Sequence, residues 1–181
     1  MKTESTVKYV LRLALTLLAI TALVAAALAG VNSITAPAIA ELTAQKTQEA
    51  IQAVLPGGGE EVDFPETALV SKVYASETGY AVEVTPGGFD NTITMMVGVD
   101  TEGKVLGISI ISHTETAGLG AVAAAGTPAG EAFRAEFVGA SGSVSVTKDG
   151  GEVEAITGAT ITSRAVCTGV NAALECVAKM G

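Results

Sequence analysis

"ALVSKVYASETGYAVEVTPGGFDNTITMMVGVDTEGKVLGISIIS", Ala68 to Ser112, decides the fold. It holds four β-rich runs, 68–76, 79–85, 91–100 and 104–112, separated by the turn signals "ETG", "PGGFDN" and "TEG". Short runs rich in Val, Ile, Thr and Tyr, punctuated by Gly, Pro, Asp and Asn, read as strands joined by tight turns. The expected arrangement is an antiparallel meander. Ala81–Val82–Glu83–Val84–Thr85 alternates small or apolar with polar residues, which suits a sheet with one wet face.

Downstream, "HTETAGLGA" (His113–Ala121) reads as a glycine-containing loop. "TPAGEAFRAEFVGA" predicts a short helix over Glu131–Val138, with Phe133 and Phe137 four apart on its buried side. "SVSVTK" (143–148) and "EVEAI" (152–156) read as two more short strands. "TSRAVCTGVNAALECVAKM" (162–180) closes the chain as a helix whose apolar stripe is Val166, Val170, Ala173, Leu174 and Val177. The fold class is α+β: an antiparallel sheet with flanking helices.

Upstream, Leu13 to Val31 carries no charge, and after Arg12 the next charge is Glu41. A helix of that length spans roughly the 30 Å of a bilayer's hydrocarbon core. Lys2, Lys8 and Arg12 precede the run and Lys46 is the first basic residue after it, so the N-terminus is expected in the cytoplasm. A cleaved signal peptide competes, because Ala27–Leu28–Ala29 resembles a cleavage site, but the run is longer than a usual signal core. After Pro37, residues 38–54 predict a second helix, which either lifts the domain off the membrane or packs on its back. "PGGGEE" (56–61) is expected to be a flexible, solvated link. The expected division is therefore residues 1–12 cytoplasmic, 13–31 transmembrane, 32–60 juxtamembrane helix and linker, and 61–181 an extracytoplasmic domain.

From Asn32 onward there are seven Lys and Arg against eighteen Asp and Glu. Such a surface repels phosphate backbones, so nucleic acid is not an expected partner. Cys167 and Cys176 lie nine apart, on opposite faces of one helix, and cannot bridge to each other. Small buried thiols are the expectation. No CxxC and no clustered His points to a metal.

The chemistry concentrates in "EAITGATITSRAV", Glu154 to Val166, with four hydroxyls: Thr157, Thr160, Thr162 and Ser163. A nucleophilic hydroxyl needs an adjacent base. The chain's single His is His113, no Lys lies within the motif, and no G-x-S-x-G elbow occurs, so hydrolysis is excluded. Thr162 or Ser163 is a natural N-cap for the closing helix. Capping leaves Thr157–Gly158–Ala159–Thr160 unexplained, with its two small residues before a helix start. A helix N-terminus behind a slim loop favours anions, phosphate above all. The residues alone point to a phosphate-bearing ligand near Thr160.

This tetrapeptide resembles the S/T-G-A-T signature of the FMN-binding domain family, which includes the G subunit of the Rnf ion-translocating complex and the C subunit of the sodium-pumping NADH:quinone reductase. "VGVDTEGKVLGISIISHTETAGLGA" (97–121) is similar to the family's strand, D-x-x-G-K turn, strand and E-T-P-G-L-G loop. The chain departs from the pattern at Ala117, where the family usually has Pro, and at Glu154, where it often has Asp. The resemblance implies FMN joined by a phosphoester to Thr160, installed from FAD by a separate flavin transferase. It also implies that Thr157, Gly158, Ala159, Thr162 and Ser163 surround the phosphate. Glu115, Thr116, Gly118 and Leu119 form the loop beside the flavin. Glu115 and Thr116 either bond the ring edge or organise the loop; Leu119 either packs on the ring or joins the core. His113 reads as a satisfied surface residue, and Tyr74 and Tyr80 as packing residues.

The implied role is electron transfer within a membrane complex that links ferredoxin and NAD to Na⁺ or H⁺ movement, with no substrate chemistry by this polypeptide alone. Its partners would be the rest of that complex, the transferase and the membrane. A free-standing membrane-anchored flavoprotein for extracellular electron transfer is the alternative, followed by a non-redox assembly module.

Overall fold

The computed structural model describes residues 2–180, with side chains from Thr6 onward. Its contacts divide the chain into two compact units, Met1–Ala44 and Gln45–Gly181.

Helix α1 runs from Lys2 to Val54 with Pro37 inside it. The sequence predicts two helices here; the structure has one. Pro37 removes a single backbone donor, and the alanines at 36, 38 and 40 around it are the strongest helix formers. Its apolar side chains from Val7 to Leu42 are exposed. Among the described residues this is the one helix long and apolar enough to cross a membrane, with a mean hydropathy of 2.4 over its best window.

The second unit is built on a five-stranded antiparallel sheet in chain order: β1 (Glu60–Val62), β2 (Val70–Ser76), β3 (Gly79–Val84), β4 (Thr94–Asp100) and β5 (Val105–Ser112). The predicted meander is β2 to β5. The expected flexible link at 56–61 is shorter than the sequence suggests, because Glu60 and Glu61 enter β1 and pair with Ala75 and Tyr74. The β4–β5 turn closes on Asp100, whose Oδ1 accepts from the N–H groups of Glu102 and Lys104. An aspartate that satisfies the turn's own donors fixes the hairpin locally.

Val73, Val82, Val97 and Ile108 stand opposite one another across four strands. They form one core with helix α3 (Thr160–Met180) through its Val166, Val170, Ala173 and Val177. The opposite face is not wet, contrary to the alternation. Tyr74, Ala81, Met96 and Ile111 are buried there against Ala50, Ile51, Val54 and Leu55 at the end of α1. The physical reason is Gly98, which pairs with Ala81 and Gly107. A Cβ at Gly98 would collide with the Val54 carbonyl oxygen. Absence of a side chain lets the helix end rest directly on the sheet.

Helix α2 spans Pro128–Ala135, starting three residues before the predicted Glu131. Thr127 caps it by accepting from Gly130 N–H, and Pro128 takes the first position, where a missing N–H costs nothing. Phe133 and Phe137 are both buried, their rings edge-to-face at 5.4 Å. The two strands expected at 143–148 and 152–156 do not form. A single bridge joins Val146 and Val153. The Asn171 side chain takes up the backbone of Val144 at both N–H and C=O, and the two segments keep only the bonds of Val153 to Thr147 and Ser145 around that bridge. Cys167 and Cys176 are free and buried, as expected.

Candidate functional site

Three loops and one helix end converge on a cavity of about 320 Å³, lined by Phe89, by Glu115, Thr116, Leu119 and Gly120 of one loop, by Lys148 and by residues 158–162. The construction starts at Glu115, which is buried. Its Oε1 accepts from Phe89 N–H at 2.8 Å, and its Oε2 accepts from the Thr162 hydroxyl at 2.5 Å. One carboxylate thus ties the 86–91 loop to its own loop and to the first turn of α3. A Cβ on Gly120 would meet both Glu115 Oε2 and Thr162 Oγ1, so this knot needs glycine there.

Helix α3 begins at Thr160, three to four residues earlier than an N-cap at Thr162 or Ser163 would start it. Neither residue is the N-cap; both lie inside the helix and are fully buried. Thr162 serves Glu115. Ser163 donates to the Ala159 carbonyl at 3.1 Å and accepts from Ile156 N–H at 3.0 Å, which folds the motif back onto the helix. Gly158 holds a φ of 77°, a left-handed conformation suited to glycine. Its missing Cβ also leaves room for Leu119.

Thr160 faces the cavity. Its Oγ1 accepts a hydrogen bond from Lys148 Nζ at 3.1 Å. Lys148 comes from a 3₁₀ turn, Thr147–Asp149, within a stretch that the sequence predicts as a strand. The next residue, Asp149, accepts two bonds from the Arg164 guanidinium at 2.6 and 2.7 Å. That fork holds the Asp149 carboxyl below the usual carboxylate range and raises Arg164. It fastens the turn bearing Lys148 to the helix bearing Thr160.

The wall of the cavity includes Glu115, Thr116, Leu119, Gly158, Ala159, Thr160 and Thr162, all expected from sequence. It is built without Thr157, Gly118 and Ser163. Sequence reasoning missed Phe89, Lys148, Gly120 and Ile161. No motif marks Lys148, whose place depends on a turn twelve residues before Thr160. His113 is not a satisfied surface residue. Its Nδ1 is buried without a hydrogen-bond partner among the described residues, and it lines a separate hollow with Lys46, Glu49 and Ser112. Tyr74 and Tyr80 pack in the two cores and leave the cavity alone.

The donor set fits a phosphate-bearing aromatic ligand. Lys148 and the first-turn N–H groups of α3, which lack intrahelical acceptors, suit the anion. The exposed apolar side chains of Phe89, Leu119 and Ile161 suit a ring system.

Residues 88–175 match the model of the FMN-binding domain, and every segment of the cavity wall falls within them. The chain is 33% identical over 93% of its length to the G subunit of the Na⁺-translocating ferredoxin:NAD⁺ oxidoreductase complex of Acetobacterium woodii, covering 91% of that protein. It is 31% identical over 94% of its length to the G subunit of the ion-translocating oxidoreductase complex of Methanosarcina acetivorans, covering 95% of it. The chain belongs to this family of G subunits. A shorter match, 39% identical over 56% of the chain and 57% of the relative, is to the G subunit of the proton-translocating ferredoxin:NAD⁺ oxidoreductase complex of Clostridium ljungdahlii. The cavity therefore lies in an FMN-binding domain, and the apolar helix accords with membrane association.

Proposed function

We propose that this protein carries electrons on FMN held covalently at Thr160, within a membrane complex that couples ferredoxin and NAD to ion transport. The observation that carries the reading is the state of the Thr160 hydroxyl. Of the two threonines that line the cavity from the first turn of α3, Thr162 is spent on a buried carboxylate, while the Thr160 hydroxyl, among the described residues, meets only a lysine. The Thr160 oxygen forms the new bond to the FMN phosphorus of FAD, AMP departs, and the hydroxyl proton passes to the flavin transferase. No base is required in this chain, which accounts for the motif's lack of one. A tether makes retention independent of affinity, which suits a domain outside the cytoplasm that cannot recapture a lost cofactor. When bound, the flavin supplies the redox chemistry, and the protein orients it and sets its surroundings.

The remaining wall residues divide by chemistry. Gly158 and Ala159 give the phosphate close access to the backbone, with Thr157 and Ser163 shaping that loop. Leu119 seats the ring, while Glu115, Thr116 and Gly118 hold the loop beside it. Residues 13–31 span the membrane with residues 1–12 in the cytoplasm, 32–60 connect, and 61–181 are extracytoplasmic. Similarity to G subunits along nearly the full chain favours a member of a complex over a free-standing flavoprotein. Relatives named for sodium and for protons both occur, so the coupled ion is Na⁺ or H⁺.

The test is co-expression of the full chain with a flavin transferase, followed by in-gel fluorescence after denaturation. The wild type is expected to give a fluorescent band and Thr160→Ala none. A band that persists in Thr160→Ala would refute the assignment of Thr160.

A further inference from the structure

We propose that Lys148 is the phosphate-binding cation of this site: it holds the anionic group at Thr160, and the Asp149–Arg164 pair positions it for that task. The inference rests on the reading of Thr160 as the attachment point. Three observations carry it. Lys148 Nζ already touches the Thr160 oxygen, at 3.1 Å, from across the cavity. No carboxylate pairs with it among the described residues, although the neighbouring Asp149 is engaged by Arg164. And the domain around it is acidic, with eighteen Asp and Glu against seven Lys and Arg after Val31, so a lysine held at a hydroxyl rather than at a carboxylate runs against the average charge.

An ammonium left unpaired beside a hydroxyl in an acidic domain is complementary to an arriving anion. As a compact point charge on a flexible stem, lysine can follow phosphorus from the donor diphosphate to the product. Transfer of the FMN unit from FAD to Thr160 breaks the diphosphate linkage, releases AMP and leaves a phosphodiester with one negative charge beside the first turn of α3. Lys148 neutralises that charge and leaves the helix N–H groups to the remaining oxygen. The bidentate Asp149–Arg164 contact spares Lys148 from pairing with Asp149, because both carboxylate oxygens are already occupied.

Two measurements on the full chain in detergent test this. The first is the initial rate of flavinylation by the transferase at subsaturating FAD. Lys148→Gln is expected to lower it about tenfold, the size of one charge-assisted hydrogen bond, and Lys148→Arg to restore most of it. The second is titration of the unflavinylated chain with inorganic phosphate, followed by the amide shifts of residues 160–162. The wild type and Lys148→Arg are expected to respond, and Lys148→Gln to respond at about tenfold higher phosphate. Raised salt is expected to narrow the gap between wild type and Lys148→Gln.

If Lys148→Gln matches the wild type in both measurements, the inference is overturned while the Thr160 reading stands. If the wild type takes no flavin, the Thr160 reading fails, and the phosphate titration alone still decides whether Lys148 binds the anion. A Lys148→Arg variant as impaired as Lys148→Gln in both would also overturn it, since the charge would then not be the operative property.

Discussion

Thr160 and Thr162 stand two residues apart in one helical turn and meet opposite surroundings. Thr162 is buried to 1% exposure and donates a hydrogen bond to Glu115. Thr160 is partly open, faces a cavity and, among the described residues, has the Lys148 ammonium as its hydroxyl's one hydrogen-bond partner. The contrast continues into the next turn. On the closed side lie Ser163, Val166 and Cys167, all buried; on the open side lie Ile161 and Arg164. On the proposed reading, the hydroxyl available to an outside enzyme is the one whose single hydrogen bond among the described residues is an exposed one, from Lys148. Chemically equivalent side chains are thus sorted by helical phase into one bonded to a buried carboxylate and one facing the cavity.

Exchanging the roles gives the largest expected effect. Thr160→Ala should abolish covalent flavin and leave the urea midpoint of the detergent-solubilised chain unchanged, since it removes one exposed contact. Thr162→Ala should do the reverse. It keeps the acceptor oxygen but removes a hydrogen bond to a buried charge, worth about 1.5–3 kcal/mol. Equal flavin loss in both variants, with equal stability, would erase the distinction.

Glu115 is the other half of the closed side. Its removal strands the Phe89 N–H and the Thr162 hydroxyl, both of which it accepts from. Glu115→Ala is expected to destabilise by about 3 kcal/mol or more in the same denaturation measurement, and Glu115→Gln by less, because the amide still offers one acceptor. A midpoint unmoved by Glu115→Ala would show that the knot does not hold the loops.

How far the open and closed sides are legible in the sequence follows from the range of the interactions that make them. Turn chemistry such as Asp100 in the β4–β5 hairpin acts over four residues, and the meander is legible for that reason. The placement of Thr160 on the cavity wall is legible because its motif is contiguous. The dry second face of the sheet is not, since what covers it is the end of α1, from Ala50 to Leu55, and only Gly98 hints at so close an approach. The helix start differs from expectation by most of a turn because Thr162 and Ser163 are good capping residues whose hydroxyls are claimed instead by Glu115 and Ile156. Lys148 is invisible because a salt bridge between Asp149 and Arg164, fifteen residues apart, brings it to the site.

Cys167 sharpens the comparison kinetically. Burial on the closed side pushes its thiol up to about 11, against about 8.5 for a free cysteine. The neutral form is favoured in the fold, so this contribution is complete below the free value and fades as pH rises toward 11. At about pH 8, just under the free thiol value, the native chain should react with iodoacetamide far more slowly at Cys167 than the denatured chain, as followed by peptide mass spectrometry. Native labelling as fast as denatured labelling would place that face of α3 in contact with solvent.

The smallest effect belongs to the open side. The hydrogen bonds from Arg164, opposed by partial desolvation and aided by the charges of Arg164 and Lys148, hold the Asp149 carboxyl below its free value of about 3.9. A depressed carboxylate contributes its stability above the free value and loses it as pH falls through the lowered one. The Thr147–Asp149 turn is therefore expected to stay fastened to α3 across neutral and mildly acidic pH, and to release only below the ordinary carboxylate range. Because the pair is solvent-exposed, the release should move the Asp149 carboxyl carbon and the Lys148 amide signals while leaving global stability nearly unchanged. Carboxyl-detected NMR across roughly pH 2 to 6, which brackets the usual carboxylate window, reads it. Removing the partner by Arg164→Gln should return Asp149 to an ordinary titration, and Lys148 should then lose its fixed approach to Thr160. An Asp149 that titrates identically with and without Arg164 would mean that the fork does not hold the turn, and that Lys148 reaches Thr160 without it.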